Sequence, residues 1–181
     1  MSLDGVMEAP NEWHFAFWHE EMGAYKFAEL MASDALLLGR VTYEGFAAAW
    51  PTMEGTGEFG ERMNGLPKYV VSTTLESGDW NNTTVIRDDV ASAVRRLKEE
   101  PGQNILVGGS AGLVRSLMAD DLIDEYRLMV HPVVVGKGKR LFADEGTLKT
   151  MQLVDTKTFP TGVIVLTYRP APRDTSTTAV P

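Results

Sequence analysis

Apolar residues along this chain fall into two alternating spacings. A continuous run at 35–38 suits a strand buried on both faces, and stretches at 69–71, 105–107 and 126–130 mark further strands. Between them, helical spacing recurs: Met22, Tyr25, Phe27, Leu30 and Met31 predict a helix over 20–31, and residues 41–50 carry a second. The stretch 51–67 holds several Gly and charged residues and reads as a surface connection with a short helix around 58–63. A third strand spans 68–74, and a short one 83–86. Asp88 or Asp89 caps a helix over 90–100, whose stripe is Val90, Val94 and Leu97, and Pro101-Gly102 stops it. The run 104–107 then meets a glycine pair and a helix over 111–120. Residues 126–136 form a strand in which Pro132 suggests an edge or a bulge. Alternation at 151–158 and 163–169 around Phe159-Pro160-Thr161-Gly162 predicts a β-hairpin. This order implies an α/β fold with a largely parallel sheet closed by an antiparallel hairpin.

At 181 residues and 44% hydrophobic, the chain suits one domain with an ample core. Residues 1–169 form that domain, and the Pro-, Thr- and Ser-rich stretch 170–181 reads as a flexible tail. A net charge of -8 disfavours nucleic acid and anionic membrane as partners, so an anionic ligand must be captured locally. The absence of cysteine removes disulfides and thiolate catalysis. With no signal-peptide pattern or long apolar span, it points to a cytoplasmic protein. His14, His19 and His131 are too scattered to suggest a metal site.

The candidate chemistry lies at strand-to-helix turns. In Val107-Gly108-Gly109-Ser110-Ala111, glycines let a ligand approach the main chain, and the helix start offers unpaired N–H groups and a positive dipole end. Gly39, Arg40 and Thr42 bring a guanidinium, a hydroxyl and backbone donors to a second such turn. Ser72 and Thr73 follow a third strand, where hydroxyls hold phosphate or ribose or simply make a turn. Ligands of parallel sheets sit at the carboxyl ends of strands, so the three turns together make a case for a dinucleotide. Trp13, Phe17 and Trp18 concentrate aromatics outside any clear element, either as core or as the wall of a pocket for a planar ligand. The basic stretch 136–140 reads as a flexible, solvated loop.

These stretches, together with Ser2-Leu3-Asp4-Gly5, Leu38-Gly39-Arg40-Val41-Thr42-Tyr43-Glu44, Val70-Val71-Ser72-Thr73-Thr74 and Ile123-Asp124-Glu125 through Val135-Gly136, resemble the dihydrofolate reductase-like superfamily. The closest resemblance is to small proteins related to the reductase domain of the bacterial riboflavin-biosynthesis deaminase-reductase. It covers residues 1–169 and implies a three-layer α/β/α sandwich, a homodimer, and hydride transfer from NADPH to a pterin or pyrimidine-type heterocycle. By resemblance, Gly39, Arg40 and Thr42 hold cofactor phosphates, Ser72 and Thr73 lie near the adenosine 2′-phosphate, and Gly108, Gly109, Ser110 and Ala111 surround the pyrophosphate. It also implies a cis peptide at Gly108-Gly109. Asp4 is the first-ranked acid, more for anchoring substrate than for proton transfer, with Trp13, Phe17 or Trp18 beside it.

Three departures stand out. Riboflavin-pathway reductases carry Glu where this chain has Gly108, which weakens a reading as the 5-amino-6-(5-phosphoribosylamino)uracil reductase itself. The acidic position of the first helix aligns with Gly23, with Glu20 and Glu21 close by. That mismatch leaves open a non-catalytic nucleotide- or flavin-binding protein on the same fold. The family's usual first strand precedes Ser2-Leu3-Asp4-Gly5, so the chain is expected to lack it.

Overall fold

The computed structural model describes residues 1–142 and 148–172. Residues 173–181, most of the expected tail, lie outside the described residues. The tail's first residue instead ends a strand.

Strand β1 (Ser33–Gly39) is the pivot of the fold. Leu36 and Leu38 point to one face of the sheet and Leu37 to the other, and all three are almost fully buried. This is why the run carries no polar alternation. Parallel partners flank it in the order β3-β2-β1-β4, with β2 at Lys68–Val71, β3 at Thr83–Ile86 and β4 at Asn104–Val107. Leu36 and Leu38 pack with Tyr43, Met63, Leu66, Val70 and Trp80, beneath helices α1 (Glu20–Met31), α2 (Arg40–Ala49) and α3 (Gly57–Gly65). On the opposite face Leu37 packs with Val94, Leu113 and Leu117 from α4 (Val90–Glu99) and α5 (Ala111–Ala119). Helices thus cover both faces of the parallel sheet, giving the expected three layers.

A second, antiparallel sheet runs β5-β7-β6, with β5 at Tyr126–Val130, β6 at Met151–Thr158 and β7 at Ile164–Pro170. Met22 of α1 packs on Phe159, Val163 and Val165 and fastens the hairpin to the first layer.

Three expectations are corrected in detail. The third strand ends at Val71 rather than Thr74, because the Ser72 hydroxyl accepts from the N–H groups of Thr74 (3.2 Å) and Leu75 (2.9 Å) and turns the chain. The strand expected over 126–136 ends at Val130, since Pro132 has no N–H to extend a ladder. The basic stretch 136–140 is pinned: Val6 and Arg140 form an antiparallel bridge, and Met7 N–H donates to the Lys139 carbonyl at 2.8 Å.

Candidate active site at the carboxyl edge of the parallel sheet

β1 and β4 are parallel neighbours, so the helices that follow them, α2 and α5, start side by side. The two turns touch through glycine. Gly39 N–H donates to the Gly109 carbonyl at 3.2 Å, and a Cβ on Gly39 would lie 2.5 Å from the Ser110 hydroxyl. Gly109 has φ 134°, a region that side chains disfavour, and a Cβ there would come within 3.2 Å of Thr42 Oγ1. The structure therefore brings Gly39, Thr42, Gly109 and Ser110 together. The cis peptide lies between Gly109 and Ser110, one residue later than the resemblance implied.

Neither helix start is closed by its own side chains. The N-cap residues Gly39 and Ser110, like Thr56 of α3, make no side-chain cap bond, whereas Asp89 caps α4 by accepting from Ser92 N–H and His19 caps α1 by accepting from Glu21 N–H. Two sets of first-turn N–H groups, with two positive dipole ends, thus converge on one patch that holds no carboxylate cap. Arg40 stands exposed at its rim, with one guanidinium nitrogen on both oxygens of Glu44 at 2.8 and 2.9 Å. Gly108 is exposed, and Ala111 is buried at the helix start. Ser72 and Thr73 sit at the end of β2 on the same sheet edge. Thr73 is exposed, and Ser72 is engaged in its turn while keeping a hydroxyl proton.

The second part of the site lies beyond β5. Asp4 accepts from the Ser2 hydroxyl (2.7 Å) and from the N–H groups of Val135 (3.1 Å) and Gly136 (2.8 Å). The Ser2 bond is the strongest of these influences, and together they hold the carboxyl at about 2, well below the ordinary range. Asp4 is therefore a carboxylate at neutral pH, and its acceptor positions serve the 133–136 segment. Gly23, the position aligned with the family acid, lies under Trp18, whose ring would be 3.1 Å from a Cβ there. Trp18 thus packs on α1, apart from the other two aromatics. Glu20 and Glu21 stand exposed in the first turn of α1.

Trp13 and Phe17 converge instead on His131, at ring-centroid distances of 5.4 and 6.1 Å, with His14 at 6.1 Å. His131 is 4% exposed and its Nε2 has no partner among the described residues, while Nδ1 lies 3.4 Å from the Met1 carbonyl. Burial lowers its pKa, so the ring is neutral at pH 7. Metal-ligand spacing in the sequence does not single it out, because the aromatics around it lie more than a hundred residues away in the chain. No group of three or more metal-ligating side chains occurs among the described residues.

Comparisons with known proteins bear on the family and the fold. The uncharacterized protein YyaP of Bacillus subtilis (strain 168) is 33% identical over 172 residues, covering 93% of this chain and 90% of that protein. Among solved structures, a protein of Shewanella sp. PV-4 assigned to riboflavin biosynthesis superposes with a TM-score of 0.75 at 18% identity, covering 95% of this chain and 96% of the other. Dihydrofolate reductase from Enterococcus faecalis, complexed with NADP(H), superposes with a TM-score of 0.56 at 15% identity, covering 94% and 92%. The fold is thus that of dihydrofolate reductase, and the profile of the RibD C-terminal domain matches residues 1–165: the chain belongs to the RibD C-terminal domain family.

Proposed function

We propose that this protein is an NADPH-dependent reductase that delivers hydride to a small planar heterocycle of pterin or pyrimidine type. The observation that carries the reading is the pair of adjoining helix starts without side-chain caps, at Gly39–Thr42 and Gly109–Ala111. The residues fit the cofactor. Backbone N–H groups and two dipole ends suit a pyrophosphate, glycine at both turns leaves the main chain open to close approach, and Arg40 and the Ser72–Thr73 hydroxyls suit a further phosphate. When bound, NADPH supplies the hydride.

The protein's own work is positioning. Trp13 and Phe17 offer apolar rings, and the neutral His131 beneath them holds an unpartnered Nε2 that would accept from a ring N–H of the substrate once those rings part. Asp4 supports the pocket by fixing Val135 and Gly136.

One observation favours the second reading, a non-catalytic binding protein: no buried carboxylic acid faces His131 among the described residues, since Gly23 is covered and Asp4 is ionised. The two readings share the cofactor site and differ in turnover. Titration with NADPH and NADH, followed by quenching of the tryptophan fluorescence, tests the shared part. NADPH is expected to bind more tightly than NADH, and Arg40→Ala to weaken NADPH by about 1.5 kcal/mol, roughly tenfold, the lower end for a bond to a charged group because Arg40 is exposed. Loss of nicotinamide absorbance on addition of a dihydropterin or an aminouracil then separates enzyme from binding protein. No binding of either nucleotide overturns the reductase reading.

A further inference from the structure

Trp18 keeps 55% of its surface exposed although its indole is anchored. The anchor is Gly23 of α1, where a Cβ would lie 3.1 Å from the ring's Cζ2 and 3.6 Å from its Cη2. Glycine is among the least favourable residues inside a helix, and the φ of Gly23 is not positive, so the backbone does not demand it. Among the described residues, only the Trp18 ring lies within 4 Å of the place a side chain would take. The glycine is thus a seat for the indole.

Helical periodicity fixes which way the seat faces. Gly23 stands two turns before Leu30 on the same side of α1, and Leu30 packs with Leu36 and Leu38 of β1 and Tyr43 of α2. Ala32 alone joins α1 to β1, so the helix runs back along the strand. The helix is about 18 Å long and the strand about 23 Å, which brings the start of α1 to the carboxyl end of β1. The indole therefore lies on the sheet-facing side of α1, at the edge where α2 and α5 begin without side-chain caps. Its backbone is held on both sides: Trp18 N–H donates to the Phe15 carbonyl at 3.1 Å, and His19 caps α1 by accepting from Glu21 N–H at 3.2 Å. Consecutive residues send their rings to different anchors, Phe17 to His131 and Trp18 to Gly23.

We propose that the Trp18 indole is a stacking platform for the substrate's heterocycle, with Gly23 as the seat that holds its benzo edge against α1 and leaves the rest of the ring to the ligand. The proposal rests on the reductase reading above and assigns the ring a residue that reading did not use. An indole recognises a flat ring by contact area and π surface, and a large apolar side chain held in place while still exposed supplies both at little entropic cost.

The test uses 6-methylpterin and 5-aminouracil as probes, each titrated by calorimetry with and without NADPH. It compares the native chain with Trp18→Leu, Trp18→Phe and Gly23→Ala. Trp18→Leu keeps apolar bulk and loses the π face, so probe affinity is expected to fall roughly tenfold, with part of the loss recovered in Trp18→Phe. NADPH affinity should stay within roughly twofold in both. Gly23→Ala separates seat from scaffold. Alanine favours the helix, so a glycine without a role at the site predicts a higher thermal midpoint and unchanged probe binding. A seat predicts probe binding weaker by roughly threefold or more, because the methyl group displaces the indole. Undiminished probe binding in Trp18→Leu overturns the platform, as does failure of both probes to bind the native chain, and NADPH affinity is then read separately. Loss of NADPH binding with the Trp18 effect intact overturns the reductase reading instead.

Discussion

The two ends of the parallel sheet treat polar groups in opposite ways. At the amino end of β2, Lys68 is fully buried, yet its ammonium donates to the carbonyls of Asn64 (2.8 Å), Leu66 (2.7 Å) and Asn81 (3.0 Å) and lies 4.2 Å from the centre of the Trp80 ring. Burial pulls its pKa down to about 8, which still leaves it charged at neutral pH. The three bonds of that ammonium tie α3, β2 and the 80–82 turn to one another. At the carboxyl end, the starts of α2 and α5 meet with no side-chain cap on either. A buried cation held by internal carbonyls serves stability, whereas two adjoining helix starts without side-chain caps leave N–H groups open to a ligand.

Four substitutions or titrations sharpen or break this contrast. The largest effect belongs to the saturated end. Lys68→Met removes the ammonium from the carbonyls of Asn64, Leu66 and Asn81 and is expected to cost about 3 kcal/mol of stability, read from denaturant unfolding. A loss under about 0.5 kcal/mol would remove the corner from the account. At the open end the signs should diverge. Ser110→Asp places a carboxylate cap on α5, so stability is expected to rise by about 0.5 kcal/mol while NADPH affinity falls at least roughly tenfold. If both quantities fall together, the turn is merely structural.

His131→Phe removes the orphaned Nε2. Stability should stay within about 1 kcal/mol and NADPH affinity should be unchanged, while turnover or binding of a heterocycle with a ring N–H declines. Calorimetry and steady-state kinetics read the two parts. The smallest effect is local. Asp4 has a folded-state pKa of about 2 against an ordinary 3.8, so its contribution is fully present above the ordinary value and lost as pH falls through about 2. The Val135 and Gly136 amides should therefore exchange faster over that window in the native protein, and be insensitive to it in Asp4→Asn.

The parallel half of the fold was readable in the chain because its signals are local. The buried run at Ala35–Leu38, the glycine turns and the Asp89 cap each act within a few residues. The hairpin at β6–β7 was readable for the same reason. What escaped were contacts made across the chain. Nothing near 136–140 announces that Val6 and Glu8 hold it, nor does a lysine at a strand start announce three internal carbonyls. His131 is a lone histidine until Trp13 and Phe17 fold over it. The resemblance implied a cis peptide at Gly108-Gly109, and the structure has it at Gly109-Ser110.

The most direct test of the central claim follows backbone amide resonances during titration with NADPH. The account expects the largest shifts at Arg40, Val41 and Thr42 and at Ala111, Gly112 and Leu113, with the amides of Asn64, Leu66 and Lys68 unmoved. Saturable shifts confined to other regions, or none at either helix start, would contradict it.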